Sequence, residues 1–321
     1  MTDAGTEPAP LIFALQAQPE SGPEWSEMAR AAEAAGFHDL VVADHPGTTA
    51  APFVALAAAA GLTRHVRLGT AVANLGRWHP YDLACEVATL DLVSGTRALL
   101  GIGAGHTPAE WLMVGRPYPD PSARVTRMIE VAETCLSLLS GERVTFEGSD
   151  FRLEEASVDW PPERRRVPLL VGGNNRRLLR WAGANADVVE VTGLGRTLAD
   201  GHHHAVRWSP EQLDASVEGV REAARGRVHP PILGTLVHVV EVTEDRESAL
   251  EILHRRLAVG MPPESVPTLE DLGSCPYVLI GSRAEMAEQL AGHQRRWGFR
   301  RYTLRPPLAP LRSVMGAPGA D

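Results

Sequence analysis

The sequence predicts a (β/α)8 barrel, the TIM-barrel architecture, on two observations. Short apolar runs bounded by glycine or polar residues alternate with longer segments whose apolar residues follow helical spacing. This alternation occurs eight times, and eight strand–helix units can close, so a barrel is favoured over an open doubly wound sheet. No linker or change in composition divides the 321 residues, which predicts a single barrel domain over residues 1–321.

The first four strand–helix units occupy the amino-terminal part of the chain. Trp25 and Met28 share one apolar face of the first helix, which ends at Gly36. The fourth helix, at 125–139, has the clearest helical periodicity in the chain. The strands are predicted at 11–16, 40–43, 66–73 and 98–102, and the helices at 25–36, 50–63, 80–93 and 125–139.

The last four units follow a polar, proline-rich insertion at 142–166, after the fourth helix. A second insertion, the polar loop at 193–208 after the sixth strand, is too long for a plain connection and is a candidate lid. The segment at 261–276 is irregular, and residues 307–321 are predicted to be a frayed tail. The strands are predicted at 167–171, 187–191, 232–242 and 301–304, and the helices at 175–185, 210–224, 249–257 and 286–297.

Charge and composition exclude several classes of protein. The net charge of -9 gives no basic surface for nucleic acid, and no apolar run approaches the ~20 residues of a membrane span. The first ten residues are acidic and proline-rich, unlike a signal or transit peptide, which predicts a cytoplasmic protein. Three scattered cysteines indicate reduced core residues without a disulfide or metal site.

The chain contains no lysine, because all 31 basic residues are arginine. Schiff-base aldolases, enzymes that use pyridoxal phosphate and Walker-type phosphate loops all need a lysine amine. The sequence therefore excludes these three classes.

The functional site of such a barrel lies at the carboxyl ends of its strands. There, Asp44 and His45 combine a carboxylate with an imidazole, and glycines at three strand ends would leave room for a broad flat ligand. Together with nearby amides and an anion niche, these residues suit a flavin-like ring. The residues predicted at this rim are Gln16, Asp44, His45, Asn74, Gly103, Ala104, Gly105, His106, Gly172, Gly173, Asn174, Asn175, Glu190, Thr192 and Arg305.

The candidate anion niche belongs to the stretch 166–193, which predicts a strand, a glycine loop, a helix and a second strand. Asn174 is the predicted N-cap of the helix. Free backbone N–H groups at such a helix start suit an anion, and Arg176 and Arg177 stand in its first turn. The alternative is that Gly172 and Gly173 only close a turn and that both arginines are solvated. Local sequence leaves both interpretations open.

Metal-dependent hydrolysis is the other chemistry common in barrels. It needs a His-x-His pair on the first strand or clustered carboxylates, and the sequence has neither. His202, His203 and His204 lie together in the long polar loop and are interpreted as solvated residues. No metal site is predicted.

At these positions the sequence resembles the luciferase-like flavin and deazaflavin oxidoreductases over residues 11–305. Within that superfamily it is most similar to the branch that depends on the deazaflavin coenzyme F420. The motifs that carry the resemblance are VVADH at 41–45, RLGTAVANLGRWHP at 67–80, ATLDLVSGTRALLGIGAG at 88–105, PLLVGGNNRRLLRWAGANADVVEVTG at 168–193 and YVLIGSRAEMAEQL at 277–290. The stretch GLGRTLADGHHHAVRWS at 193–209 also fits this branch.

The resemblance implies a cofactor site with positions that can be named in this chain. Ala71 and Val72 match a non-proline cis peptide behind the cofactor ring. The ring and its side chain would lie against Asp44, His45, Asn74, Ala104, Gly105 and His106, and the phosphate against Gly172, Gly173 and Asn174. Glu110 and Trp111 are weaker candidates for the substrate pocket.

His45, with Asp44, is the implied catalytic position, because it matches a histidine near the hydride-transfer carbon of a related sugar-phosphate dehydrogenase. Imidazole is also suited to moving the substrate proton. The alternative is that His45 only orients the ring or caps a turn through Asp44. The lysines that hold the sugar phosphate in that enzyme have no counterpart here, so a sugar phosphate is not the expected substrate.

The predicted activity is therefore hydride transfer between F420 and a small organic substrate. The alternatives are a monooxygenase that uses flavin mononucleotide (FMN) and needs a flavin reductase as partner, or a barrel that binds the cofactor without turnover. The resemblance further implies a homodimer, since the helices at 50–62 and 80–93 have little polar surface.

Overall fold

A computed structural model of the chain describes residues 9–164, 166–197, 204–261 and 265–316. The strands are β1 (Ile12–Gln16), β2 (Asp39–Val42), β3 (Arg67–Thr70), β4 (Ala73–Asn74), β5 (Ala98–Gly103), β6 (Val144–Glu147), β7 (Arg152–Ala156), β8 (Leu169–Gly173), β9 (Val188–Val191), β10 (Leu194–Thr197), β11 (His204–Val206), β12 (Ile232–Leu236), β13 (Val239–Val242), β14 (Val278–Gly281) and β15 (Phe299–Leu304). The helices are α1 (Gly22–Ala34), α2 (Pro52–Ala60), α3 (Pro80–Ser94), α4 (Pro108–Met113), α5 (Pro121–Leu139), α6 (Arg176–Asn185), α7 (Pro210–Ala223), α8 (Arg246–Gly260), α9 (Leu269–Ser274), α10 (Arg283–Trp297) and α11 (Leu308–Met315).

Eight parallel strands form a closed barrel at the centre of the fold. Their order is β3-β2-β1-β15-β12-β9-β8-β5, and the pairing of β3 with β5 closes the cylinder. The two-residue strand β4 extends this sheet beside β5. The predicted (β/α)8 barrel is confirmed.

Within the described ranges, three two-stranded sheets lie outside the barrel. The antiparallel pair β6–β7 follows α5, and the antiparallel pair β10–β11 follows β9. The parallel pair β13–β14 joins residues on either side of α8 and α9. The predicted candidate lid contains β10 and β11, and its residues 198–203 lie outside the described part of the chain.

Four sequence-based expectations need correction. The predicted third strand is interrupted between β3 and β4, and the strand predicted at 232–242 is two strands, of which only β12 belongs to the barrel. The strand β14 was not predicted at all. The predicted tail contains α11, in which Leu311 and Val314 are fully buried, because this helix packs against α10 and β13.

Successive side chains of the barrel strands enter different hydrophobic clusters, because they point to opposite faces of the sheet. Leu169 and Val171 of β8 belong to a large cluster that includes helix residues such as Trp25. Leu170, between them, belongs to a small cluster with Val41 of β2. The large cluster therefore lies between the barrel and its helices, and the small one fills the barrel interior.

The barrel interior also contains a buried group of charges. Arg301 of β15 is 0% exposed, donates to Asp39 at 2.8 Å and also pairs with Glu190 of β9. Arg67 adds a second contact to Asp39, at 2.6 Å. Burial acts to raise the pKa of Asp39, but the positive charges of Arg301 and Arg67 outweigh it and lower that pKa. The interior carboxylates are thus paired with cations beneath the functional cavity.

Candidate active site

A cavity of about 870 Å³ opens at the carboxyl ends of the barrel strands. This is the position expected for the functional site of such a barrel. All the residues of the predicted site line it, namely Asp44, His45, Ala71, Val72, Asn74, Ala104, Gly105, His106, Gly172, Gly173 and Asn174. The chain thus brings together, from five strand ends, the residues that the sequence placed at one site.

The floor of the cavity is formed where the third barrel strand is interrupted. The peptide bond between Ala71 and Val72 is cis, as the resemblance implies. The side chain of Val72 packs on two glycines, because a Cβ atom would lie 2.6 Å from it at Gly103 and 3.0 Å from it at Gly172. These two glycines therefore make room for Val72, and not directly for a flat ligand as the sequence suggested.

Gln16 fixes the floor from β1, which lies two strands from β3 in the barrel. Its Nε2 donates to the carbonyl oxygen of Ala71 at 2.5 Å. Its Oε1 accepts from Nε of Arg305 at 2.7 Å. The side chain of Gln16 therefore links the cis peptide to a guanidinium group at the end of β15.

Asp44 is a buried structural acceptor. Its carboxylate accepts from the backbone N–H of Asn74 at 3.0 Å and from the indole of Trp78 at 2.7 Å. Arg77 lies 3.3 Å away. Asp44 thus anchors the segment after the cis peptide, and the carboxylate that contacts the His45 imidazole is a different one.

That carboxylate is Glu110, on α4. Its Oε1 lies 2.7 Å from Nδ1 of His45, and its Oε2 accepts from Nδ2 of Asn74 at 2.5 Å. Glu110 is 5% exposed, and the side chain of His45 is 35% exposed. Because an ionised carboxylate only accepts hydrogen bonds, Nδ1 carries the proton and Nε2 is left as the acceptor nitrogen.

The orientation of the Asn74 amide is fixed as well. Its Oδ1 accepts from the backbone N–H of Gly76 at 3.0 Å, so its Nδ2 must face Glu110. Gly76 therefore donates to Asn74 and Asn74 donates to Glu110, while His45 donates to the other oxygen of the same carboxylate, so the hydrogen bonds converge on Glu110.

Of the two weaker candidates for the substrate pocket, only Glu110 lines the cavity. Trp111 is 4% exposed, and its indole packs beneath Gly76, where a Cβ atom would lie 2.2 Å from the ring. Trp111 is therefore a core residue that supports the loop carrying Asn74.

The predicted anion niche lies at the start of α6. The N-cap is Asn175, not Asn174, and its side chain accepts from the backbone N–H groups of Arg177 and Leu178. The backbone N–H groups of Asn174, Asn175 and Arg176 donate to no acceptor in the described part of the chain. Three such groups beside the cavity fit the phosphate of a flavin-type cofactor.

The side chains of the two arginines of the first turn do not contribute to this niche. Arg177 donates to Thr126 at 2.6 Å, and Arg176 lies in a separate small groove beside Glu218. Neither lines the main cavity. Instead, Asn174 closes the niche, because its Nδ2 donates to the carbonyl of Leu194 at 2.7 Å.

Sequence reasoning missed several residues that line the cavity, among them Tyr118, Arg124 and Arg207. The guanidinium of Arg124 stacks on the ring of Tyr118 at 4.3 Å, and its buried Nε has no partner among the residues described. These residues belong to α5, the loop before it and the segment after β11. For Tyr118 and Arg124, a proline-flanked loop at 116–121 directly before a helix was the available signal.

His202 and His203 lie outside the described residues, and the side chain of His204 is not described. Over the ranges that the structure describes, no group of three or more potential ligands could hold a metal ion. No helix in those ranges is long and apolar enough to cross a membrane.

The structure is thus a closed (β/α)8 barrel with a cofactor-sized cavity at the carboxyl ends of its strands and a carboxylate–imidazole pair at the edge of that cavity. The family model described as luciferase-like monooxygenase matches residues 11–308, so this chain belongs to the luciferase-like monooxygenase family. The resemblance seen in the sequence is thereby confirmed.

The comparisons include relatives with different activities. The chain is 31% identical over 277 residues to an F420-dependent glucose-6-phosphate dehydrogenase from Nakamurella multipartita, covering 82% of this chain and 77% of the relative. The solved structure of the coenzyme F420 dependent tetrahydromethanopterin reductase from Methanopyrus kandleri aligns with a TM-score of 0.75 at 19% identity, over 97% of this chain and 98% of that one. The oxygenating constituent of 3,6-diketocamphane monooxygenase from Pseudomonas putida, in complex with FMN, aligns with a TM-score of 0.71 at 19% identity, over 97% and 98%.

Proposed function

We propose that this oxidoreductase uses coenzyme F420 and transfers a hydride between the deazaflavin and a small organic substrate. The relative with 31% identity and 77% of its length covered is F420-dependent, which favours this cofactor. The observation that carries the proposal is the His45–Glu110 pair, 2.7 Å apart, at the edge of a cavity that also offers a phosphate niche.

The residues of the cavity divide into two groups by what they would hold. The backbone N–H groups at Asn174 and Asn175 would bind the cofactor phosphate, and the floor at Ala71 and Val72 would support the ring. When bound, a deazaflavin supplies a carbon, C5, that accepts or donates a hydride. His45 then stands beside the reacting carbon of the substrate.

His45 would move the proton that accompanies the hydride. In the direction of alcohol oxidation, Nε2 accepts the hydroxyl proton, and Nδ1 keeps its hydrogen bond to Glu110. The negative charge of Glu110 stabilises the imidazolium formed in this step. In the opposite direction the same nitrogen returns the proton to the substrate oxygen.

The second candidate function is that of an FMN-dependent monooxygenase supplied with reduced flavin by a reductase. The structural likeness to the FMN complex from Pseudomonas putida favours it, and the phosphate niche would suit FMN equally. In this case His45 would act as a general acid and donate a proton to the oxygenated substrate.

A homodimer is proposed through the faces of α2 and α3. These neighbouring helices expose large apolar side chains, with Val54 of α2 at 72%, Leu92 of α3 at 69% and Val93 at 53% exposure. Burial of such side chains in a twofold contact is a common basis of dimer formation.

A binding titration tests the cofactor assignment. The purified protein is titrated with F420 and with FMN, each oxidised and reduced, and followed by cofactor fluorescence and absorbance. We expect F420 to bind at least about tenfold more tightly than FMN, a difference of ~1.4 kcal/mol. Tight binding of FMN alone, with oxygen-dependent turnover, would replace the first proposal by the second.

A further inference from the structure

The side of the cavity that carries His45 also contains a guanidinium group that has no counter-charge among the described residues. Arg305 follows β15 and lines the cavity. Its Nε donates to Gln16, and its two terminal nitrogens have no partner among the residues described. An arginine whose outer edge is free presents two parallel donors, the geometry that fits a carboxylate or a phosphate.

None of the acidic residues around the cavity neutralises this group. Every acid in the lining already has its own partners in the described structure. Asp44 binds Asn74 and Trp78, Glu110 binds His45 and Asn74, Asp120 caps the start of α5, and Glu190 binds Arg301 and Thr303.

His238, the titratable neighbour of Arg305, does not supply a negative charge either. Its pKa is lowered to about 4 by burial and, after that, by the positive charge of Arg305. The imidazole is therefore neutral near pH 7, and its Nε2 lies 3.2 Å from the carbonyl oxygen of Thr192. The positive potential at Arg305 is thus left for a ligand.

The sheet order separates Arg305 from the phosphate niche. In the eight-stranded barrel, β15 lies diametrically opposite β5, and β1 lies opposite β8, which carries the niche. His45 follows β2, the neighbour of β1. Gln16 of β1 links Arg305 to the floor at Ala71. A cofactor whose phosphate occupies the niche and whose ring crosses the floor would therefore leave Arg305 to the substrate.

We propose that Arg305 binds an oxyanion of the substrate, so that this enzyme acts on a small carboxylate or phosphate and not on a neutral alcohol. The proposal rests on the proposed function, because it takes His45 to be the proton-transfer group for the same substrate. Binding of the anion by Arg305 would hold the reacting carbon of the substrate between His45 and the cofactor ring.

Anion binding tests the proposal independently of turnover. Isothermal titration is carried out with lactate (2-hydroxypropanoate), inorganic phosphate and neutral propan-2-ol, on the protein alone and saturated with whichever of F420 or FMN binds. The variants are Arg305→Gln, Arg305→Lys and the control Arg312→Gln, which removes an exposed arginine of α11 outside the cavity.

We expect the wild type to bind at least one anion more tightly than propan-2-ol. Arg305→Gln should weaken that binding by about tenfold or more, the value of a charge-assisted hydrogen bond. The anion affinity of Arg305→Lys, which keeps the charge but loses the two parallel donors, should lie between those of the wild type and Arg305→Gln. The anion affinity of Arg312→Gln should stay within about twofold of the wild type, the range of a surface change. Preference for lactate or for phosphate identifies which oxyanion the substrate carries.

Two results would overturn the proposal. One is anion binding that is absent from the wild type or unchanged in Arg305→Gln. The other is a cofactor dissociation constant that rises together with the anion constant in this variant, because Arg305 would then belong to the cofactor site. A protein that binds neither cofactor would refute the proposed function, whereas the anion titration on the protein alone would still report on Arg305.

Discussion

Replacing Glu110 with glutamine should trap His45 in the wrong tautomer. Asn74 must present its Nδ2 to residue 110, because its Oδ1 accepts from Gly76 at 3.0 Å. The new amide of Glu110→Gln can satisfy this donor only with its oxygen, so its NH2 group must face Nδ1 of His45. Nδ1 then accepts, Nε2 carries the proton, and the neutral imidazole loses its acceptor for the substrate.

The expected loss follows from the role that is removed. General acid–base help contributes ~10²–10⁴ in rate, so kcat of Glu110→Gln should fall by about that factor. Glu110→Ala should lose less in rate, because it does not impose a tautomer, although it leaves Asn74 without its acceptor. His45→Asn should fall as far as Glu110→Gln, and the double variant should fall no further, since the two residues act as one unit.

Steady-state kinetics, cofactor titration and ¹⁵N spectra of the histidine nitrogens test this reasoning together. Cofactor affinity should change little, and the spectrum of Glu110→Gln should show a protonated Nε2 at His45. Glu142→Gln, an exposed position before β6, is the control for loss of a carboxylate. Multiplicative losses in the double variant, or an unprotonated Nε2 in Glu110→Gln, would refute the coupling.

Three further outcomes are expected. Burial lowers the pKa of His293 to about 3, below its value of about 6.5 in the unfolded chain, so its contribution to stability is complete above that pH and is lost as the pH falls towards 3. Between pH 7 and pH 5 the free energy of unfolding should fall by about 2 kcal/mol less in His293→Leu than in the wild type. Urea unfolding at the two pH values measures this difference, and an identical pH dependence in the two proteins would contradict it. Gly103→Ala, whose Cβ would meet Val72 at 2.6 Å, should weaken cofactor binding by about tenfold or more, whereas Gly219→Ala on the open surface of α7 should leave it unchanged. Light scattering at micromolar concentration should give the mass of a dimer, and Leu92→Arg on α3 should give a monomer; a monomeric wild type would end the dimer proposal.

The barrel could be predicted because its signal is local and repeated. Apolar runs such as 98–102 and 187–191 are too short for helices, and each is followed by a helix with an apolar face. The helix α11 could not be predicted in this way. Its sequence follows two prolines and contains a third, which argues against a helix, and packing against α10 and β13 buries Leu311 and Val314.

The sequence could predict which residues form the site but not which of them contact one another. Topology alone brings strand ends together, so Asp44, His45 and Asn74 were expected to be neighbours. The choice of partner was not accessible, since His45 pairs with Glu110, 65 residues further along the chain, and not with the adjacent Asp44. The carboxylate of Asp44 is instead occupied by the backbone N–H of Asn74 and the indole of Trp78.

One side of the cavity presents backbone groups and the other presents side chains, and this difference has a physical consequence. The niche at Asn174 and Asn175 presents backbone N–H groups, which a side-chain substitution does not remove. The opposite side presents the side chains of His45 and Arg305, and the interior charges of Asp39 and Glu190 are already paired with Arg301. If the niche holds the cofactor phosphate as proposed, substitutions at the second side would change the substrate without altering that contact or leaving a charge unpaired in the barrel. The substrate of this enzyme should accordingly be identified from Arg305 and His45, and its cofactor from the floor and the niche.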